Sequence, residues 1–503
     1  MNRVVYKQIK YYLCLIVFLF STNLSSQGGT VFKEEIKNKI DVYLEDSLKD
    51  KRIPGASFIL VQGNEVLFKK GYGIADKKNG TPFTTETVIS LGNSSKLFTL
   101  IAALLLKNSE KLDSEKRVNE ILPWYKHGRD GGERLLLIKH LLHSTSGLAI
   151  SDERILHRQD GSLISNSKEL LQKVSELNLR AGLPGDSFND SNLNQILLAE
   201  VLETIYGKNV SIYLKENFFE KAEMFSTGFD YWKEAGNKLA TSYNYLLGSQ
   251  KKTSPSDIPA SYTYAFKAVS NAEDIAKFIS ILLGTKKEFE AETSMFRDLF
   301  LPTAKLSNGT PCCAHLFRFK EFGNEKIFYH HGFGPGVASS IFIIPERKIG
   351  FAILMNGEAI PGAWGIGEGV YSILNELEIK PLSPNLKQLS GLIGLLAITV
   401  SLIFIYFISI NIDRLYSREF VPTDPKPIAI RFAISLGVML FLLWVMNLFL
   451  PFTNSMIEFF HLPYNSSMYG WMPELFYSFL AMLVISFFWT IYYAMLLARN
   501  SGV

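Results

Sequence analysis

Lys96 ends a short polar segment, Gly92-Asn93-Ser94-Ser95-Lys96, which leads into a run of apolar residues from Leu97 to Leu106. A lysine placed one helical turn after a hydroxyl can take the proton as the oxygen attacks an acyl carbonyl. The position that shares a helix face with Lys96 is Asn93. An amide nitrogen is delocalised into its carbonyl and the amide oxygen is a poor nucleophile, so Asn93 forms no acyl-enzyme. Ser94 and Ser95 point roughly 200° and 100° away from Lys96 around a helix. Two other groups carry polar chemistry: Asp190-Ser191-Asn192, and His330-His331-Gly332 on an alternating, strand-like stretch. A lysine left alone in a half-buried cleft is costly unless a carboxylate neutralises it. Asp190 is therefore expected to pair with Lys96 within about 6 Å, with Asn93 hydrogen-bonding beside them.

These residues need a scaffold, and the sequence offers an α/β one. A helix is expected near residues 32–48, then two strand-like runs around the Gly63-Asn64 turn, spanning residues 56–70. A buried helix over 93–107 carries Lys96. A helical region fills the middle, and strands near 327–329, 339–344 and 349–356 pair back with the first hairpin, with a helix over 364–377 packed on the sheet.

Ordered motifs connect these elements. Ile53-Pro54-Gly55-Ala56 opens the hairpin and Gly71-Tyr72-Gly73-Ile74-Ala75-Asp76 closes it. Leu141-Leu142-His143-Ser144-Thr145-Ser146-Gly147-Leu148, Pro184-Gly185, Asp190-Ser191-Asn192, His330 to Gly336, and Pro345-Glu346 running on to Asn356 follow in that order. Together with Gly92, Lys96, Phe98 and Thr99, the chain over residues 35–375 resembles the class C β-lactamase and penicillin-binding protein family. The resemblance implies a serine β-lactamase/transpeptidase-like fold, an antiparallel sheet flanked by helices with a helical region beside it. It also implies two departures. Asn93 stands where that family has its nucleophilic serine, and Asp190 where it has the tyrosine of a Tyr-x-Asn motif. Lys96 and Asn192 are kept, and His330 and Gly332 lie on the strand that lines the site and supplies a backbone donor to the oxyanion hole. The site implied is Asn93, Lys96, Asp190 and Asn192, with His330, Gly332 and Ser191 as binding residues. Without both hydroxyls it reads as catalytically silent.

The chain has 503 residues, 47% of them apolar, enough core for more than one domain, and a net charge of +4 with no long basic run, which argues against a nucleic-acid partner. The apolar excess sits at the two ends. Arg3, Lys7 and Lys10 precede a short apolar core and a small, polar stretch, the pattern of a signal peptide over residues 1–26. The main domain then covers 27–377, with a Pro-bearing linker at 378–388. Three apolar runs follow, at 389–412, 432–450 and 475–498, each near the roughly 20 residues a spanning helix needs. Arg414, Arg418, Lys426 and Arg431 border the first connection and Arg499 follows the third run, whereas residues 452–472 contain no Lys or Arg. By the positive-inside rule the main domain is extracytoplasmic in a multi-pass membrane protein. No ionisable residue lies near the centre of any run, so anchoring is the expected role.

The chain has three cysteines, and beyond Cys14 only Cys312 and Cys313 remain. Neighbours of this kind cannot staple distant segments but can close a strained ring in an oxidising compartment. His315 lies two residues on, yet no CxxC pair or second cluster accompanies them, so neither a metal site nor a cofactor is expected. His143 is expected to be a structural hydrogen-bonder, and His331 to be exposed. Three functions are consistent with these residues. One is a silent relative that binds a peptide, a peptidoglycan-like fragment or a protein through the old cleft. Another is an active hydrolase with a displaced nucleophile at Ser94, Ser95 or Ser191. The third is a structural or interaction subunit.

Overall fold

The computed structural model describes residues 34–382, apart from segments at 128–134, 149–163, 176–181, 230–234, 247–248, 254–257, 307–308, 310, 323–324 and 358–361, and a few isolated residues after 398. The expected signal peptide lies outside the described residues, as do nearly all of the three C-terminal apolar runs. Among the described residues no helix is long and apolar enough to cross a membrane. The chain divides into a short unit ending at Val42 and the main unit, residues 43–503.

The first helix, α1 (Glu34–Asp50), leads into β1 (Gly55–Gln62) and β2 (Glu65–Asp76), joined at the expected Gly63-Asn64 turn. Short pieces follow: β3 (Thr81–Pro82), β4 (Ile89–Ser90), and a single 3₁₀ turn at Gly92–Ser94 that runs into α2 (Ser95–Asn108). α3 (Asn192–Tyr206) is the other long helix of the helical region and packs on α2. The hairpin β5 (Ser242–Leu246) and β6 (Ser249–Thr253), then β7 (Val269–Ser270) and α4 (Ala272–Leu282), return the chain to the sheet. It closes with β8 (Ala304–Lys305), β9 (Pro311–Ala314), β10 (Phe317–Phe322), β11 (Glu325–Gly334), β12 (Val337–Ile344), β13 (Ile349–Met355) and α5 (Gly362–Leu374).

Nine strands form one sheet in the order β3-β2-β1-β13-β12-β11-β10-β9-β8, each paired antiparallel with its neighbours. The three C-terminal strands run where the sequence placed them. The short strands β8 to β10, ending the sheet at β8, were not anticipated, because residues 304–322 mix Pro, Gly and Lys with short apolar pairs. β12 and β13 are buried along their whole length, since both faces of the sheet are covered. Ile59, Val61, Ile341, Ala352 and Leu354 alternate onto the face that joins the main core, where α4 packs. Phe58, Phe342 and Phe351 alternate onto the other, with Phe342 and Phe351 stacked at 4.7 Å and α5 above β12.

His331 belongs to that second face, and the expectation of exposure is corrected here. Its ring lies 5.1 Å from Tyr329 and 5.6 Å from Phe342, and Nδ1 is 2.9 Å from the Ser340 hydroxyl. Alternation did turn it away from His330, but the helix-covered side of the sheet is not solvent.

One polar side chain ties the centre of the sheet to the rest. The fully buried Asn356, at the end of β13, accepts from the Gly55 backbone N–H at 2.7 Å. Its amide donates to the carbonyls of Ile74, Ala75 and Thr241 at 3.0, 3.2 and 3.1 Å. Removing it leaves several buried backbone groups unpaired. Asn356→Ala is expected to lower unfolding stability by about 2–4 kcal/mol, read from urea denaturation of the two proteins.

Candidate active site

The site forms where the start of α2 meets β11 and the loop before α3. Gly92 makes the approach possible. It adopts φ +55°, and a Cβ there would lie 2.2 Å from the Phe333 carbonyl oxygen, so the turn sits directly against β11. Gly332 does the same from the strand side: a Cβ there would stand 2.0 Å from the Ser94 hydroxyl and 2.3 Å from that of Ser339.

With the backbones this close, Asn93 reaches across. Its side-chain oxygen accepts the Phe333 N–H at 2.9 Å. Ser94 is 3.0 Å from the Ser339 hydroxyl. Ser95 turns away from the cleft, donating to the Gly92 carbonyl at 2.6 Å and accepting from the Ala268 N–H at 2.9 Å. Ser94 is thus bonded to β12 and Ser95 to its own turn and the Ala268 backbone, while Lys96 bonds elsewhere.

Lys96, wholly buried in the first turn of α2, donates to the Asp190 carboxylate at 2.8 Å and to the Asp190 carbonyl at 3.3 Å. The expected ion pair is thus present, and both partners are buried. The geometry favours it from each side. An ammonium near a helix N-terminus faces the positive end of the macrodipole and needs a counter-charge, while Asp190 precedes the N-terminus of α3, where a carboxylate is welcome. Ser191 is the N-cap residue of α3 and Asn192 its first residue, both buried against the site. The loop that carries them is fixed by backbone bonds from Asn189 to Ser144, Gly185 to Thr145 and Phe188 to Lys305, and by Asn194 donating to the Leu141 carbonyl. The His143-Ser144-Thr145-Ser146 turn is therefore the support of the Asp190 loop.

His330 lies on β11 beside the pair. Its Nδ1 is 3.1 Å from the Leu316 carbonyl, which makes that nitrogen the protonated one and leaves Nε2 as a bare acceptor. Nε2 has no hydrogen-bond partner among the described residues. Burial lowers the His330 pKa, against the pull of the Asp190 charge, so the ring is neutral. Gly332, two residues on, holds the strand against Ser94. The structure thus gathers Asn93, Lys96, Asp190, Asn192, Ser191, His330 and Gly332 at one place. Sequence reasoning missed the roles of the Phe333 N–H, Ser339 and Leu316. The first and last are backbone groups that carry no residue-type signature. No group of three or more His, Cys, Asp or Glu able to hold a metal occurs among the described residues.

A family model described as Beta-lactamase matches residues 40–363. The chain belongs to the β-lactamase family. Among curated relatives of this β-lactamase-family chain, Protein flp of Staphylococcus aureus strain MW2 is 24% identical over 329 residues, 65% of this chain and 64% of that protein. The chain therefore spans just under two thirds of that relative's length. Esterase EstB of Burkholderia gladioli is 32% identical over 111 residues, 22% of this chain and 28% of the esterase. Among solved structures, the octameric penicillin-binding protein homologue from Pyrococcus abyssi superposes with a TM-score of 0.59 at 19% identity, covering 71% of this chain and 81% of the other. A class C β-lactamase superposes with a TM-score of 0.58 at 16% identity, covering 70% and 99%. At these identities the structures share the fold.

Two outcomes test the electrostatics. Breaking a buried pair leaves an uncompensated charge, whereas removing both charges does not. Asp190→Leu or Lys96→Met alone is expected to cost about 3–5 kcal/mol, and the double change much less than the sum, in a denaturation double-mutant cycle. The second test uses the half-buried His127 and His143 and the buried His315 around the supporting turn. Burial foremost pushes His127 and His143 down to about 4, the Lys107 charge adding to it for His143, and burial pushes His315 down to about 3. Between pH 6.5 and about 4 the unfolded chain therefore binds protons that the folded one does not. Stability present above pH 6.5 is lost as pH falls through that window. His143→Gln should reduce the slope of stability against pH there by close to one proton, measured by denaturation at a series of pH values.

Proposed function

We propose that this chain is a catalytically silent member of the β-lactamase family, tethered to a membrane by its C-terminal apolar runs with the main domain on the extracytoplasmic side. Its role is binding rather than turnover. The reading rests above all on one arrangement: the Asn93 side-chain oxygen accepts the Phe333 N–H, in a site where Lys96 is committed to the Asp190 carboxylate. In acyl transfer a nucleophile is activated by a free base, and a backbone N–H stabilises the developing oxyanion. Here the residue facing the lysine carries an amide, the lysine faces a carboxylate, and the strand donor is occupied by a side chain of the protein itself. Asn93 in the serine's place and Asp190 in the tyrosine's place share a common logic, since each satisfies a group that the site itself presents, the Phe333 N–H and the Lys96 ammonium.

The alternative of an active hydrolase with a displaced nucleophile gains little from the neighbouring serines. Ser94 bonds to Ser339, and Ser95 is held between Gly92 and Ala268. The ligand class that suits the site is uncharged. The ammonium and carboxylate neutralise each other and His330 is neutral, which favours an uncharged group such as a peptide or cell-wall-fragment amide, while Nε2 of His330 is itself buried beside the pair.

A fluorophosphonate and a labelled penicillin, applied to the purified protein, separate these readings. No covalent adduct is expected on the unmodified chain. Asn93→Ser alone is expected to stay inert because its lysine remains paired, and the combined change with Asp190→Tyr to acquire labelling. An ester adduct on any serine of the unmodified protein overturns the assignment. Labelling of Asn93→Ser alone shows that Asp190 is no obstacle to chemistry.

A further inference from the structure

Away from the cleft, two neighbouring thiols lie at an irregular place in the sheet. β9 pairs with β8 through Ala304↔Cys313 and Lys305↔Pro311, so one step along β8 spans two along β9, and Cys312 is the extra residue of a β-bulge. In a regular strand successive side chains leave opposite faces of the sheet, too far apart to react. A bulge re-aims one of them. Both sulfur-bearing side chains here meet the same residue across the ladder. The Cys312 thiol donates to the Ala304 carbonyl at 3.8 Å, and Cys313, fully buried, packs with Ala304 and Phe188 while Cys312 lies against the same cluster.

Their surroundings give them different characters. Cys312 is half-buried, and the bond from Cys313 and then the Arg318 guanidinium lower its pKa, which favours the thiolate. Burial raises that of Cys313, keeping it a thiol until its neighbour has reacted. Both are free in this structure.

We propose that Cys312 and Cys313 form a vicinal dithiol site that reacts with small-molecule disulfides, Cys312 attacking and Cys313 resolving. The Cys312 thiolate attacks one sulfur of the small disulfide. That S–S bond breaks, and the released thiolate takes a proton from water. Cys313 then gives up its proton and attacks the Cys312 sulfur, expelling the second small thiol and closing a ring through the shared peptide bond. Two protein thiols are oxidised and one disulfide is reduced to two thiols. Ring closure draws the Cβ atoms to about 3.5–4.5 Å and shifts Cys313 from its place beside Phe188. Phe188 donates its N–H to the Lys305 carbonyl on β8 and stands two residues before Asp190, whose charge is felt at Cys313. Oxidation at the sheet edge therefore loosens the loop that carries the carboxylate of the ion pair.

The test uses the full chain with Cys14→Ser, so that two thiols remain. The reduced protein is incubated with oxidised glutathione and read by intact mass, peptide mapping and amide hydrogen exchange. Expected are a loss of two hydrogens, no retained glutathione, an internal link within the peptide holding both cysteines, and faster exchange over residues 188–192. Adding Cys313→Ser should trap glutathione on Cys312, and adding Cys312→Ser should slow adduct formation by about tenfold or more. Glutathione retained on the protein with both cysteines, an unchanged mass, or disulfide-linked dimers overturns the proposal. A closed ring with unchanged exchange at 188–192 refutes the link to the Asp190 loop.

Discussion

A lysine ammonium buried at the first turn of a helix must be answered by a negative charge, and the answer comes from a loop ninety-four positions along the chain. Much of the architecture can be read as the means of keeping those two groups together. α2 has to enter against β11, which Gly92 and Gly332 permit by having no side chain. The loop before α3 has to stay rigid, which the Ser144, Thr145 and Lys305 carbonyls secure. Taking one charge away would leave the other without water or partner, so the pair constrains the fold more than it stabilises it.

The same closeness explains why Asn93 fits. A carboxamide carries an acceptor and a donor on a short stem, and at this position the acceptor falls on a strand N–H that would otherwise need another partner. Asn93 and the Lys96–Asp190 pair are thus satisfied by groups of the protein itself. The electrostatic balance of the site follows from the same bonds, since the Lys96 ammonium is answered by the Asp190 carboxylate.

The residues that could be read from the sequence were those whose side-chain chemistry identifies them. Lys96, Asn93, Asp190 and Asn192 were placed by motif order, and the pairing of Lys96 with Asp190 followed from the cost of an isolated buried charge. The hairpin at Gly63-Asn64 and strands β11 to β13 were visible in alternation and turn residues. What was hidden is what depends on tertiary coverage. His331 alternated to the other face as it should, but α5 and the aromatic residues around it decide that this face is not solvent. The Phe333 N–H and the Leu316 carbonyl are backbone groups, silent in any residue pattern. β8 to β10 are short strands toward one end of the sheet, held by pairing rather than by propensity. The role of Asn356 was equally hidden, since a polar residue at a strand end more often signals a turn than a buried hub.

The sheet order has a consequence for how the molecule is made. β1 lies between β2 and β13, with Ala56 opposite Met355, so a strand near the start of the domain waits for the last one before its second edge is paired. Contacts of such sequence separation form slowly, because a long loop must close before they repay its entropy. During vectorial synthesis the first hairpin therefore emerges with an open, apolar edge and keeps it until nearly the whole domain has left the ribosome. A nascent chain halted before β13 should expose a template for strand addition, which makes this domain a natural client for chaperones that shield unpaired strands.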